Sequence, residues 1–220
     1  MVKAALLDVG GVLLEANPEM WDMALEWLAG CTPRKVSRRE LTWVAGNAWE
    51  RYRMDIFRLR VAPAEEEKFW RSMVEEILMA LRSECSVSEA LHEWPYYRFI
   101  QPLLGAREVL EWLKLKTYKV AVYSNTVPSL RSALQYHGLS RFIDYAFPST
   151  TLGFSKPDFR GYSKIAEIMR LRPNEIAYFD ESRDNVRGAQ HAGMFSFLVD
   201  LGNPAPGVVH DLRMICEILD

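Results

Sequence analysis

Residues 4–13 read Ala4-Ala5-Leu6-Leu7-Asp8-Val9-Gly10-Gly11-Val12-Leu13. A short apolar run stops at a carboxylate and a glycine pair. Bounded by turn residues, Ala4–Asp8 reads as a strand buried on both faces, as in a parallel sheet. Gly10 and Gly11 let the backbone turn sharply and approach a ligand closely. The stretch therefore puts a carboxylate on a glycine turn at the end of a buried strand.

The same texture recurs further along the chain. Lys119–Tyr123, Ile143–Phe147, Ile176–Asp180 and Phe195–Asp200 also read as buried strands. Helical patterns separate them at Ala106–Lys116, Pro128–His137, Phe159–Arg170 and Arg183–Ala192, the last stopped by Gly193. This alternation predicts βαβ units and a parallel sheet, an α/β fold. Residues of about 15–100 differ. Apolar residues recur there at helical spacing, as in Trp21, Leu25, Leu28 and Phe69, Met73, Ile77, Leu81, with no strand-like run. The expectation is a core of residues 1–14 and 101–220, with a helical cap, 15–100, inserted after the first strand. Trp21, Trp27, Trp43, Trp49 and Trp70 are expected to form that insertion's own hydrophobic core.

Composition excludes several classes. The chain has 220 residues, 27 Lys plus Arg against 29 Asp plus Glu, a net charge of −2 and 49% hydrophobic residues. That is a globular balance, and it lacks the basic excess of a nucleic-acid-binding domain. No apolar stretch approaches the ~18 residues of a membrane helix. The first apolar run is cut by Asp8 and the glycine pair, so it is not a signal-peptide core. Cys31, Cys85 and Cys216 are odd in number and far apart, with neither a CxxC nor a disulfide ladder. A reducing cytoplasm is the default expectation.

Ligands of an open parallel sheet sit at the carboxyl ends of its strands. After the first strand comes Asp8-Val9-Gly10-Gly11, and after the second Ser124-Asn125-Thr126. The loop after the third holds Ser155-Lys156-Pro157-Asp158, and the fourth ends in Asp180-Glu181-Ser182. A carboxylate can attack phosphorus. Ser124 can donate to a phosphoryl oxygen, beside the N–H groups of the helix expected to follow. Lys156 can neutralise charge, and an acidic pair near Asp8 suits a hard cation such as Mg²⁺. Each residue has an ordinary reading on its own. Asp8 could be a turn residue, Ser124 a helix cap, Lys156 a solvated surface lysine, and Asp180-Glu181 a capping pair. Their succession at consecutive strand ends favours chemistry.

In that order the segments resemble the four motifs of the haloacid dehalogenase superfamily, most of whose members are phosphatases. They are 6–13, 120–126, 153–158, and 176–189 with Ala192-Gly193-Met194. The resemblance implies a doubly wound sheet and places the helical insertion at a family cap position. It implies Asp8 as nucleophile and metal ligand, with Ser124, Asn125, Gly11 and Lys156 on the phosphoryl group. It implies Mg²⁺ held by Asp8, the Gly10 carbonyl, Asp180 and Glu181, and a small phosphorylated metabolite as substrate, a sugar phosphate among the candidates.

The sequence departs from the family pattern twice. Gly10 stands where most family phosphatases have a second Asp that protonates the leaving oxygen, and loss of a general acid costs ~10²–10⁴ in rate. A leaving group that needs little protonation suffers less. A branch with Asp-x-Gly-Gly or Asp-x-Gly-Asn resembles this chain. Glu181 replaces the family's main metal aspartate, so Asp180 and Glu181 are taken jointly as ligands. Two alternatives stand beside hydrolysis of a phosphomonoester: a weak or inactive member that binds a phosphorylated ligand or a protein partner, and a haloacid dehalogenase, which the acidic pair disfavours. Arg51, Tyr52, Arg53, Arg58 and Arg60 could hold a second anionic group, although such density on a helix is usually a solvated face. His92, His137, His191 and His210 show no ligand spacing. No nucleic acid and no membrane are expected as partners, and a homodimer stays open.

Overall fold

The computed structural model describes residues 1–56 and 61–220. Its strands are β1 (Ala4–Leu7), β2 (Leu14–Ala16), β3 (Ile100–Pro102), β4 (Lys119–Ser124), β5 (Tyr145–Pro148), β6 (Ile176–Asp180), β7 (Phe195–Val199) and β8 (Val208–Val209). Its helices are α1 (Glu19–Ala29), α2 (Arg38–Ile56), α3 (Pro63–Leu81), α4 (Val87–Glu93), α5 (Ala106–Leu115), α6 (Leu130–Tyr136), α7 (Ser149–Leu152), α8 (Phe159–Met169), α9 (Arg183–His191) and α10 (Met214–Leu219). The chain divides into two compact units, Met1–Glu15 with Pro102–Asp220, and Ala16–Gln101. Among the described residues, no helix is long and apolar enough to cross a membrane.

In the first unit six parallel strands run in the order β5-β4-β1-β6-β7-β8. The chain builds outward from β1 through β4 to β5, then crosses to the other side for β6, β7 and β8. This is a doubly wound α/β sheet, and its direction of winding reverses beside β1, where such sheets bind ligands. All four residues of β1 are fully buried. Leu6 and Leu7 each contribute ~1.5–3 kcal/mol by leaving water. Leu7 lies opposite Val122 of β4 and Phe179 of β6. The Asp8 N–H donates to the Phe179 carbonyl at 2.9 Å. That register carries Asp8, Ser124 and Asp180 to one edge. On one face of the sheet, Tyr123 and Tyr178 pack with Tyr162, Ile165 and Met169 of α8 and Ala189 of α9.

Some boundaries differ from expectation for local reasons. The third sheet strand begins at Tyr145, because Ile143 closes a turn onto Ser140 and Asp144 is spent on neighbours. The Asp144 carboxylate accepts from the Val120 N–H at 2.8 Å and from Lys114 Nζ at 2.7 Å. Strands β2 and β3, at the two ends of the region expected to be wholly helical, pair with each other. They and β8 are too short for any periodicity to reveal.

In the second unit, Ala24, Leu28, Leu41, Val44, Leu78 and Leu81 form a core, with Trp21 and Trp27 against it. Trp49 stacks on Trp70 at 6.2 Å, and Trp70 on Tyr96 at 5.0 Å. Trp43 is an exception to the expected aromatic core, being 69% exposed. The inner face of α2 runs through Leu41, Val44 and Ala48, and position 43 lies off it. The cysteine reading is also corrected. Cys31 and Cys85, 54 positions apart, form a disulfide with their Cα atoms 5.1 Å apart. Only Cys216 is a free thiol, so the cysteines no longer argue for a reducing compartment.

Candidate active site

Asp8 stands just past β1 and is 4% exposed. Its Oδ1 accepts from its neighbour Val9 N–H and from Lys156 Nζ, both at 2.7 Å. Lys156 Nζ also lies 2.7 Å from Asp180 Oδ2. Lys156 is thus a buried lysine held between two buried carboxylates, not a solvated one. Its charge is compensated on both sides, which is what makes its burial tolerable.

The loop that carries Lys156 is fastened at several points. Asn125 Oδ1 accepts from the Lys156 N–H at 2.8 Å, and Asn125 Nδ2 donates to the Lys156 carbonyl at 3.0 Å. Tyr123 Oη donates to the Phe154 carbonyl at 2.9 Å. On α9, Gly188 lets the Pro157 carbonyl come so close that any Cβ there would overlap its oxygen.

These bonds bear on three site expectations. The Asn125 side chain grips the Lys156 main chain, which leaves only its own main chain for a ligand. The Gly11 N–H donates to the Leu14 carbonyl at 2.8 Å within the turn. Ser124 ends β4 and is half-buried, and α6 starts at Leu130, two residues later than expected.

Asp180 ends β6 with no exposed surface. Its Oδ1 accepts from the Ser182 N–H at 2.7 Å and from Asn185 Nδ2 at 2.9 Å. Its Oδ2 accepts from Lys156 Nζ and from Tyr178 Oη. Asn185 and Tyr178 carried no expected role. The available signal for Tyr178 was its position two residues before Asp180, which on a strand means the same face.

Glu181 lies over the glycine turn. Gly11, at φ +74°, faces it so closely that a Cβ there would come within 3.2 Å of Glu181 Cγ. Partial burial and the adjacent Asp8 carboxylate push the Glu181 carboxyl up to about 8. Carboxylate oxygens of Asp8, Asp180 and Glu181 lie within 4.8 Å of one another. Hard oxygen donors of this kind suit Mg²⁺, and a divalent cation would relieve the Asp8–Glu181 repulsion. Asp8 and Glu181 fit such an ion, while both oxygens of Asp180 already accept from protein donors. Gly10, by contrast, borders open space, with no atom within 4 Å of where its Cβ would be.

The basic segment is only partly described. Arg51 forms an ion pair with Glu76 at 2.6 Å and is largely solvated. Arg58 and Arg60, and the Arg53 side chain, lie outside the described residues.

A buried carboxylate, a buried lysine and an acidic pair thus meet at the reversal point of a doubly wound sheet. Residues 2–193 match the family model for haloacid dehalogenase-like hydrolases, and the chain belongs to that family. It is 30% identical to a phosphatase of Mycobacterium tuberculosis, over 100% of this chain and 97% of that protein. It is 24% identical to an (S)-2-haloacid dehalogenase of Burkholderia cepacia, over 92% and 85% of the two chains. A family enzyme of Bacteroides thetaiotaomicron, crystallised with magnesium and inorganic phosphate, shares the fold at TM-score 0.64. There the identity is 16%, with 94% of this chain and 98% of that one covered.

Proposed function

We propose that the protein is a Mg²⁺-dependent phosphomonoesterase that works through a phosphorylated Asp8. The observation that carries this reading is Lys156, buried and bonded to both Asp8 and Asp180. A carboxylate next to a fixed buried cation is suited to attack a phosphoryl group whose own charge that cation offsets.

In the first step an Asp8 carboxylate oxygen bonds to phosphorus and the ester P–O bond breaks. The leaving oxygen takes its proton from solvent, because Gly10 has no acid to supply one. In the second step water attacks the aspartyl phosphate, releasing inorganic phosphate and regenerating Asp8. Ser124 donates to a phosphoryl oxygen, and Lys156 balances the charge in both steps. Asp8, Glu181 and the Gly10 carbonyl would hold Mg²⁺, which supplies further charge neutralisation when bound. Asp180 anchors Lys156 instead, since its two oxygens already accept four donors, about the capacity of a carboxylate. The favoured substrates are small metabolites with easily expelled groups, such as sugar 1-phosphates and acyl phosphates. The helical unit Ala16–Gln101 serves as a specificity cap.

A dehalogenase reading is weaker, because Glu181 and Asp180 put a second and third carboxylate next to Asp8. The deciding assay measures p-nitrophenol release with Mg²⁺, with EDTA, and after Asp8→Asn, beside chloride release from 2-chloropropionate. Mg²⁺-dependent release that falls below about 1% in Asp8→Asn supports the proposal, about a hundredfold loss being within what removal of a nucleophile costs. Chloride release indifferent to EDTA would replace it with dehalogenation. No turnover of either substrate by folded protein would leave a binding protein.

A further inference from the structure

Three tyrosines lie beneath the candidate site, and the proposed chemistry does not use them. Tyr123, Tyr162 and Tyr178 are all fully buried. Tyr162 packs edge-on between the others, with ring centroids 5.3 Å from Tyr123 and 5.1 Å from Tyr178. Tyr162 Oη donates to the Asn185 carbonyl at 2.9 Å, an ordinary structural bond. Tyr178 Oη is different, because it donates to Asp180 Oδ2. That same oxygen holds Lys156 Nζ at 2.7 Å.

A fully buried position in the middle of β6 suits a phenylalanine. Burying a hydroxyl costs free energy unless it is bonded. Here the hydroxyl meets the one oxygen that competes with Asp8 for Lys156. We infer that Tyr178 is a positioning residue, whose hydroxyl shares Asp180 Oδ2 with Lys156 and so keeps the lysine ammonium within reach of Asp8. Two donors on one carboxylate oxygen divide its attraction between them. Without the hydroxyl, Asp180 draws Nζ toward itself and away from the side where the phosphoryl group arrives. Tyr123 limits where the ammonium can go, its ring centroid lying 5.8 Å from Nζ. This role rests on Lys156 acting as proposed above, and Tyr178 itself touches no reacting atom.

The test compares wild type with Tyr178→Phe, a change that removes one oxygen and leaves the ring packing in place. With p-nitrophenyl phosphate and Mg²⁺, kcat should fall about tenfold, the expected size for one lost bond to a charged group. KM should stay within about twofold, since ground-state binding does not depend on this bond. Equal kcat in the two proteins overturns the inference. So does a rise in KM that accounts for the loss, accompanied by a large drop in melting temperature, which would mark a structural role. A second readout needs no turnover. In protein labelled with ¹⁵N at lysine Nζ, Tyr178→Phe should shift the Lys156 ammonium resonance, and an unmoved resonance overturns the inference. If wild type hydrolyses nothing while the resonance still shifts, the functional reading fails and the positioning stands.

Discussion

Asn125 holds the Lys156 main chain from both sides, its amide accepting from the Lys156 N–H at 2.8 Å and donating to the Lys156 carbonyl at 3.0 Å. The two residues lie 31 positions apart. One side chain at the end of β4 thereby fixes the loop that delivers the lysine. Asn125→Ala removes both bonds and leaves a partly buried N–H and C=O to find other partners. The expected cost is ~1–3 kcal/mol of stability. A displacement of the ammonium by even about 1 Å can cost ~10²-fold in rate. The check is kcat beside a thermal melt. A variant with the wild-type rate would show that Lys156 keeps its place without this clamp.

Gly10 offers a prediction of gained activity. A Cβ there meets nothing within 4 Å, and Gly10 does not need a positive φ. An aspartate therefore fits, and Gly10→Asp restores a general acid near Asp8. For alkyl phosphates, whose leaving oxygen needs a proton, kcat should rise, toward the ~10²–10⁴ that such an acid supplies. For p-nitrophenyl phosphate the gain should be small. The measurement is the ratio of the two rates in variant and wild type. An unchanged ratio would mean that position 10 does not reach the leaving oxygen. Gly11→Ala is the contrast. At φ +74° and 3.2 Å from Glu181 Cγ it should destabilise the turn instead.

The parts legible in the sequence are those that local rules encode. A run such as Ala4–Leu7 reads as a strand because both faces must be apolar, and Asp8 breaks that rule where the strand ends. The order of strand-end residues points to where Asp8, Lys156, Asp180 and Glu181 come together. Side-chain partnerships between distant positions were not legible. Asn125 is expected beside the phosphoryl group, and nothing local shows that its side-chain amide bonds to the Lys156 main chain. Gly11 is expected beside the phosphoryl group, and nothing local shows that its N–H bonds to the Leu14 carbonyl. Cys31 and Cys85 meet only because the ends of α1 and α3 come together, which spacing does not reveal. Trp43 has the right residue type but the wrong helical phase.

Glu175 gives the first unit an acid-sensitive fastening. Lys3 Nζ lies 2.7 Å from its carboxylate, and the Arg172 N–H donates to it at 2.8 Å. Lys3 first, and then the Arg172 N–H and guanidinium, hold the Glu175 carboxyl down at about 2, from an ordinary value of 4.5. The folded state favours the charged form, so this stabilisation is complete above about pH 4.5. It is lost as pH falls from there toward 2, because the unfolded chain takes up the proton first. Melting temperatures measured from pH 6 down to 3 should therefore fall more steeply for wild type than for Glu175→Gln. Parallel slopes would show that these bonds add nothing to folding.

The Cys31–Cys85 disulfide makes the helical unit sensitive to reductant. The bond closes a loop between positions 54 apart, joining the segments that follow α1 and α3. Beside it the Glu84 N–H donates to the Cys31 carbonyl at 2.7 Å, and Thr32 Oγ1 donates to Ser83 Oγ at 2.9 Å. These polar bonds keep the two segments together when the sulfurs are reduced, so the loss should be in stability and not in fold. A cross-link over a loop of this size is worth roughly 2–4 kcal/mol. Alkylation of unfolded, unreduced protein should label one thiol, Cys216, and after reduction all three. The melting temperature should drop on adding dithiothreitol to wild type and stay put in Cys31→Ser/Cys85→Ser. Three labelled thiols before reduction would mean that the pair does not close, and the reductant should then have no effect on either protein.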